Sequence, residues 1–272
     1  MPDAYTHQYY GNLVLSQLSP ALQQRIQPHI DLFNIGLQGP DPFYFYKPLK
    51  SNPVSHQADV IHAQTGSEYF GRSLEVLKAG IPDPEAGLAY QAGFMCHYAL
   101  DSTCHTFVNR YEKTRGVSHG DMEGEFERFI MIKNGLDPYK TDVAEAFIPK
   151  KEYGPVVSAF SQGIAEKECY SSLRAFKRFR NLFHCESSLK RKTLYKIMKI
   201  AGVYDVHRGQ VINVVSYPDT EDSTAELDRL LHSCVSTGAK LITKFYTAYD
   251  EKEPAVFLYD TDLQVPFNGI SV

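Results

Sequence analysis

Residues 88–108, LAYQAGFMCHYALDSTCHTFV, constrain the fold more than any other stretch of the chain. The run is rich in Ala, Leu, Phe and Tyr, yet it carries His97, Asp101 and His105 at intervals of four. Positions four apart on an α-helix lie one turn above each other, so these side chains form one polar stripe on an apolar rod. A lone buried histidine is usually a satisfied core residue. Two imidazoles and a carboxylate on one stripe are costly to bury unless something binds them, and a cation supplies the missing partner.

The spacing recurs downstream in VSHGDMEGEFERFI, where His119 and Glu123 are again four apart and Ser118 is placed to cap a new helix. One helix turn then presents a nitrogen and a carboxylate oxygen to one ion, as H-E-x-x-H helices do with two histidines. His97, Asp101, His105, His119 and Glu123 therefore read as a metal site in preference to a buried polar network.

Upstream, HQYYGNLVLSQLSPALQQRIQPHI shows helix-like apolar spacing, with His7 at its start and Pro20 at a first turn after Ser19. Taken singly, His7 reads as a surface residue. IGLQGPDPFYFYKP reads as a Gly- and Pro-punctuated loop in which Asp41 is either a turn former or a ligand. Phe43, Tyr44, Phe45 and Tyr46 are too dense to be buried together and are placed to line a pocket mouth. From Ala58 the pattern is helical again, with His62 just ahead of GSEYFGRSLEVLKAG and Gly80, Pro82 and Pro84 ending that helix.

Residues 136–155 are loosely punctuated, either a linker or a loop over the site. Beyond them VVSAFSQGIAEKECYSSLRAFKRFRNLF, SSLKRKTLYKIMKIAG and STAELDRLLHSCVSTGAKLITKFYTAY read as amphipathic helices. Basic residues cluster between Arg174 and Lys199, either as a solvated helix face or as a patch meeting anionic headgroups or phosphate. VHRGQVINVVSYP reads as a strand pair or an extended connection. His184, His207 and His232 lack partners at ligand spacing and read as structural or surface residues.

The implied architecture is all-α: a single helical domain over residues 1–272, with a metal-ligand half at 1–135 and a helical C-terminal half at 155–250. A net charge of −4 gives no support for a basic field attracting nucleic acid, so no stable nucleic-acid partner is expected. No apolar run is long enough for a membrane span. The first residues lack a basic segment followed by an apolar core, and the five cysteines are scattered without CxxC pairs. Both features point to a cytoplasmic protein with reduced thiols.

HYALDSTCH followed by SHGDME, with a His-helix, a Gly-Pro-Asp loop and a second His-helix upstream, resembles the zinc-dependent phospholipase C family. That family shares an all-helical fold with single-strand nucleases of the S1/P1 type and binds up to three zinc ions. Its ligand order is His, Asp, His, then His-xxx-Asp, His, and finally His-xxx-Glu. This chain offers His7, Asp41, His62, His97, Asp101, His105, His119 and Glu123 in that order. The resemblance implies one zinc held by Asp41, His62, His97 and Asp101, a second by His105, His119 and Glu123, and a third by His7 with Asp101 as a bridge. CVSTGAKLITKFYTAYD resembles the closing helix of that fold.

The chain departs from the family at three points. An N-terminal Trp completes the family's third zinc, whereas this chain has no Trp, so that ion is either missing, weakly held, or completed by the N-terminus of Met1 or Pro2. His56 is a second histidine near Asp41 in sequence and competes with His62. Pro42 stands where an aromatic contacts choline in bacterial members. The implied activity is zinc-dependent hydrolysis of a phospholipid or related phosphodiester, with Asp41 and Asp101 as catalytic carboxylates and transient contact with a membrane surface. The alternatives are a nuclease of the S1/P1 type and a non-catalytic, metal-stabilised binding protein.

Overall fold

The computed structural model describes residues 4–213, 215–218, 220–251 and 255–270. In chain order the α-helices are α1 (Ala4–Gln17), α2 (Pro20–Ile26), α3 (Ile30–Gly36), α4 (Pro53–Ala63), α5 (Gly66–Ala79), α6 (Pro84–Arg115) and α7 (His119–Lys133). They continue with α8 (Gly154–Phe160), α9 (Glu166–Phe183), α10 (Ser188–Ile200), α11 (Tyr204–His207), α12 (Glu221–Ser233), α13 (Val235–Asp250) and α14 (Ala255–Leu258). No strand occurs among the described residues, whose one β feature is a bridge between Thr65 and Pro266. The fold is all-α.

The polar-striped run forms the centre of α6, a helix of 32 residues. Asp83 caps its first turn by accepting from the Ala86 N–H at 3.0 Å, and Pro84 takes the first helical position, where no N–H is needed. Gly116 ends it in the left-handed region at φ 71°. Every residue from Ala86 to Asp101 is buried, so α6 is covered on all sides. Helices α1, α2, α3, α5, α7, α8, α12 and α13 pack around it.

The closest of these contacts is α3 on α6. A Cβ at Gly36 would lie 2.1 Å from the Tyr90 carbonyl oxygen, and one at Gly93 2.0 Å from the Phe33 carbonyl oxygen. Only glycine permits that backbone approach, which sets the position of the loop that follows α3. That loop carries Asp41.

Several boundaries differ from the sequence reading. VVSAFSQGIAEKECYSSLRAFKRFRNLF divides into α8 and α9, because Gln162 and Gly163 take positive φ. The 12–13 pair likewise divides at Cys234. VHRGQVINVVSYP is not a strand pair: it forms α11, a 3₁₀ turn at Arg208–Gln210 and an irregular connection, with Val214 outside the described residues. The 3₁₀ turn at Arg208–Gln210 packs on α7 rather than on a strand. Residues 136–150 do not cover the site but pack on α9, with Phe147 and Phe176 rings 4.8 Å apart. The basic run is not all surface, since Arg180 is buried against Glu127.

Candidate metal centre

Five elements deliver the eight candidate ligands to the middle of α6. Helix α1 carries His7, a 3₁₀ turn at Asp41–Phe45 carries Asp41, and the last turn of α4 carries His62. Helix α6 supplies His97, Asp101 and His105, and α7, capped by the Ser118 hydroxyl, supplies His119 and Glu123. Three groups form, each with ligand atoms within 4.8 Å of one another: His7, His97 and Asp101; Asp41, His62 and His97; His105, His119 and Glu123.

Asp101 joins these groups. Its Oδ1 lies 3.4 Å from His7 Nε2, while its Oδ2 lies 3.3 Å from His97 Nε2 and 3.8 Å from His105 Nε2. His62 Nε2 stands 3.3 Å from Asp41 Oδ1, and His105 Nε2 3.7 Å from Glu123 Oε1. His119 Nε2 meets Glu123 Oε1 at 2.7 Å. His7 and His97 stack with ring centroids 4.5 Å apart.

The rings are oriented from behind. His105 Nδ1 faces the Phe267 carbonyl at 3.0 Å, so Nδ1 must carry the hydrogen and Nε2 turns its lone pair toward Asp101 and Glu123. His62 Nδ1 faces the Ala58 carbonyl at 3.0 Å and the Tyr44 hydroxyl oxygen at 3.2 Å. The Tyr44 proton goes to Asp59 at 2.9 Å, so both neighbours of His62 Nδ1 are acceptors. His62 Nε2 is therefore a lone pair facing the oxygen of Asp41. Either a shared proton or a metal cation between them reconciles that pairing.

Among the described residues, both ring nitrogens of His7 and His97, both oxygens of Asp101, Asp41 Oδ1, His62 Nε2 and His105 Nε2 are buried without a hydrogen-bond partner. Buried polar groups are rarely left so, and each costs about 1–3 kcal/mol. Burial pushes the His97 and His119 imidazoles well down and His105 down to about 4, leaving neutral nitrogens. Burial works against the Asp101 carboxylate, but His97, His105 and His7 outweigh it and hold its pKa well below the usual range. Burial, with Asp101 adding to it, raises the pKa of Asp41. Neutral imidazoles around ionised oxygen are the donor set zinc takes.

A cleft of about 340 Å³ reaches Asp41, His62, His105, His119 and Glu123, with Tyr44 and Phe45 at its edge. His7, His97 and Asp101 lie beneath it, fully buried. Phe43 is buried in the core, whereas Tyr44 and Phe45 do line the cleft. His62 rather than His56 faces Asp41; His56 is exposed, with a 76% accessible side chain. Met1 and Pro2 lie outside the described residues.

Three positioning features carried no signal at the sequence level. Gly39, at φ 51°, lies so close to His97 that a Cβ there would meet the ring at 2.2 Å. Glu127 accepts from the Tyr5 N–H at 2.9 Å and pairs with Arg180 at 3.1 Å, which anchors the first turn of α1 beside His7. Phe267 is fully buried among Phe70, Phe94 and Tyr98, and its own backbone carbonyl orients His105.

Comparison with protein families matches residues 6–179 to the model described as zinc dependent phospholipase C. Comparisons with curated proteins and with solved structures gave no match. The matched span contains all eight residues gathered at the site and covers more than half of the chain. With an all-α fold, a polar-striped central helix and a donor set suited to zinc, the chain belongs to the zinc-dependent phospholipase C family.

Proposed function

We propose that the protein hydrolyses the phosphodiester bond of a phospholipid or closely related substrate with two or three zinc ions. One ion is assigned to Asp41, His62, His97 and Asp101, and a second to His105, His119 and Glu123. A third, weaker one is assigned to His7 with Asp101 shared. The supporting observation is the pair of cation-demanding groups that open on one cleft, joined beneath it by Asp101. A purely structural metal shell is closed, whereas Asp41, His62, His105, His119 and Glu123 line an open cleft.

Bound zinc supplies a water of lowered pKa and neutralises charge that develops on phosphoryl oxygens. The chain's own residues do the rest. Asp101 places one oxygen beside His7 and the other beside His97 and His105, where it would share bound ions with them. Asp41, on the cleft, serves as ligand and as the carboxylate that accepts a proton as water attacks. The Ala58 and Phe267 carbonyls keep the His62 and His105 nitrogens aimed inward.

The test is metal analysis of the purified protein, followed by hydrolysis assays on phosphatidylcholine, phosphatidylinositol and single-stranded DNA. Lipid cleavage that is lost with a chelator and restored by zinc supports the reading. Cleavage of DNA alone assigns the site to a nuclease, and metal without any hydrolysis assigns it a structural role.

A further inference from the structure

The second half of the basic run, Lys190 to Lys199, lies on α10, beside an apolar groove that adjoins the metal cleft. This groove, of about 650 Å³, runs between α9, α10 and residues 44–51. It shares the wall residues Tyr44, Phe45 and Gln210 with the cleft, so the two adjoin. Its floor is Leu194, Met198 and Phe183, and its lip carries Leu49 and Ile197.

The 47–51 loop and α10 carry several exposed apolar residues. Leu49 is 80% accessible, Leu189 74%, Ile197 57% and Ile200 78%. On α10 the last three fall on the outer side of a helix whose inner side, Leu194 and Met198, is buried. Cations flank this strip. Lys190 and Arg191 turn back to the His184 and Cys185 carbonyls and fix the corner between α9 and α10. Lys192, Lys196 and Lys199 are exposed, with Lys199 over the Tyr204 ring at 4.6 Å. From Glu186 to Asp205, the two acidic residues that bound the helix, the chain carries five basic residues, although the whole protein has a net charge of −4.

We propose that α10 and the 47–51 loop form the face by which the protein seats on an anionic lipid surface, with the groove leading a lipid from that surface to the cleft. A helix with exposed large apolar residues flanked by lysines lies in a lipid interface by burying the former and pairing the latter with headgroups. In a protein with a net negative charge, a local excess of lysine beside the site's entrance complements anionic headgroups. The surface commits to a bilayer rather than a protein because its exposed apolar residues are interleaved with the exposed Lys192, Lys196 and Lys199 on one helix. The inference rests on the phospholipase reading for its purpose, but its measurement does not.

The experiment uses zinc-replete full-length protein, vesicles of phosphatidylcholine alone and vesicles containing phosphatidylserine. Wild type should co-sediment with the anionic vesicles, and less so as salt rises. Lys192→Gln with Lys196→Gln should weaken that partition by about 30-fold at low salt. Leu189→Gln with Ile200→Gln, on exposed positions outside the groove, should abolish retention in moderate salt. Both variants should keep wild-type helicity and the wild-type rate on soluble bis(p-nitrophenyl) phosphate. Absence of vesicle binding by wild type, or equal binding by all three proteins, overturns the proposal. So does concentration-dependent dimerisation, or single-stranded DNA binding, that the same substitutions remove while vesicle binding stays unchanged. Vesicle binding as expected without hydrolysis of any phosphodiester overturns the phospholipase reading instead.

Discussion

Replacing Asp101 with Asn separates its role toward a cation from its role in packing, because the two side chains have nearly the same shape. In zinc, a site at a free concentration 1,000-fold above its dissociation constant stabilises the fold by about 4 kcal/mol per ion. Asp101 has both oxygens buried without a hydrogen-bond partner and three imidazole nitrogens at 3.3–3.8 Å, so its loss reaches every group at the site. Losing a ligand or its support weakens metal binding by about 10–100-fold, or roughly 1.4–2.7 kcal/mol per ion. At about 2–4 °C per kcal/mol for a chain of this size, the zinc-induced rise in Tm should shrink by roughly 3–10 °C per ion. Calorimetry of both proteins in chelator and in zinc measures this. Phospholipid hydrolysis should fall by about 10²-fold or more in the same samples. Equal zinc-induced shifts in Tm would refute the assignment of Asp101 as the shared ligand.

Three further outcomes follow from particular residues. Phe267→Ala removes a fully buried ring and should lower stability by about 3–5 kcal/mol while weakening zinc retention through His105; unchanged Tm and zinc content would show that residues 260–270 do not support the site. Asp260 is partly buried, which opposes its charge, but Lys244 at 2.6 Å, the Asp262 N–H and Lys240 hold its pKa down. Its stabilisation is therefore full above about pH 4 and lost as pH falls through its lowered pKa, so Asp260→Asn should flatten the acid limb of the stability profile, and an unaltered limb contradicts the pairing. All five cysteines are free and buried, and burial pushes Cys169 up to about 12 and Cys234 up to about 11. A thiol reagent at pH 8 should therefore titrate five groups only after denaturation, and rapid reaction of any of them in the native protein would contradict their burial.

The helical fold and the central stripe were legible because both depend on periodicity. His97, Asp101 and His105 sit one turn apart on a helix too apolar to face water, and Ser118 and Pro20 marked helix starts that the structure reproduces. The second half of the α9–α10 region was legible as amphipathic, but not the fate of each cation. Arg180 is buried with Glu127 while Lys196 faces solvent, and only tertiary packing distinguishes them. The Phe267 carbonyl orients His105 through a group that every residue possesses, so no residue type announces it. Gly39 is similar, since its small size matters only because the His97 ring lies against it. The apolar groove is invisible in sequence for the same reason: its walls come from residues 44–59 and 179–210, brought together by the fold.

The most direct measurement is a zinc titration of metal-free protein that records bound zinc and phospholipid hydrolysis on the same samples. Hydrolysis should be absent at zero zinc, remain low until the first equivalent binds, and rise to its plateau as the second does. Full hydrolysis by zinc-free protein, or none by protein holding two ions, would contradict a zinc-dependent phospholipase centred on Asp101.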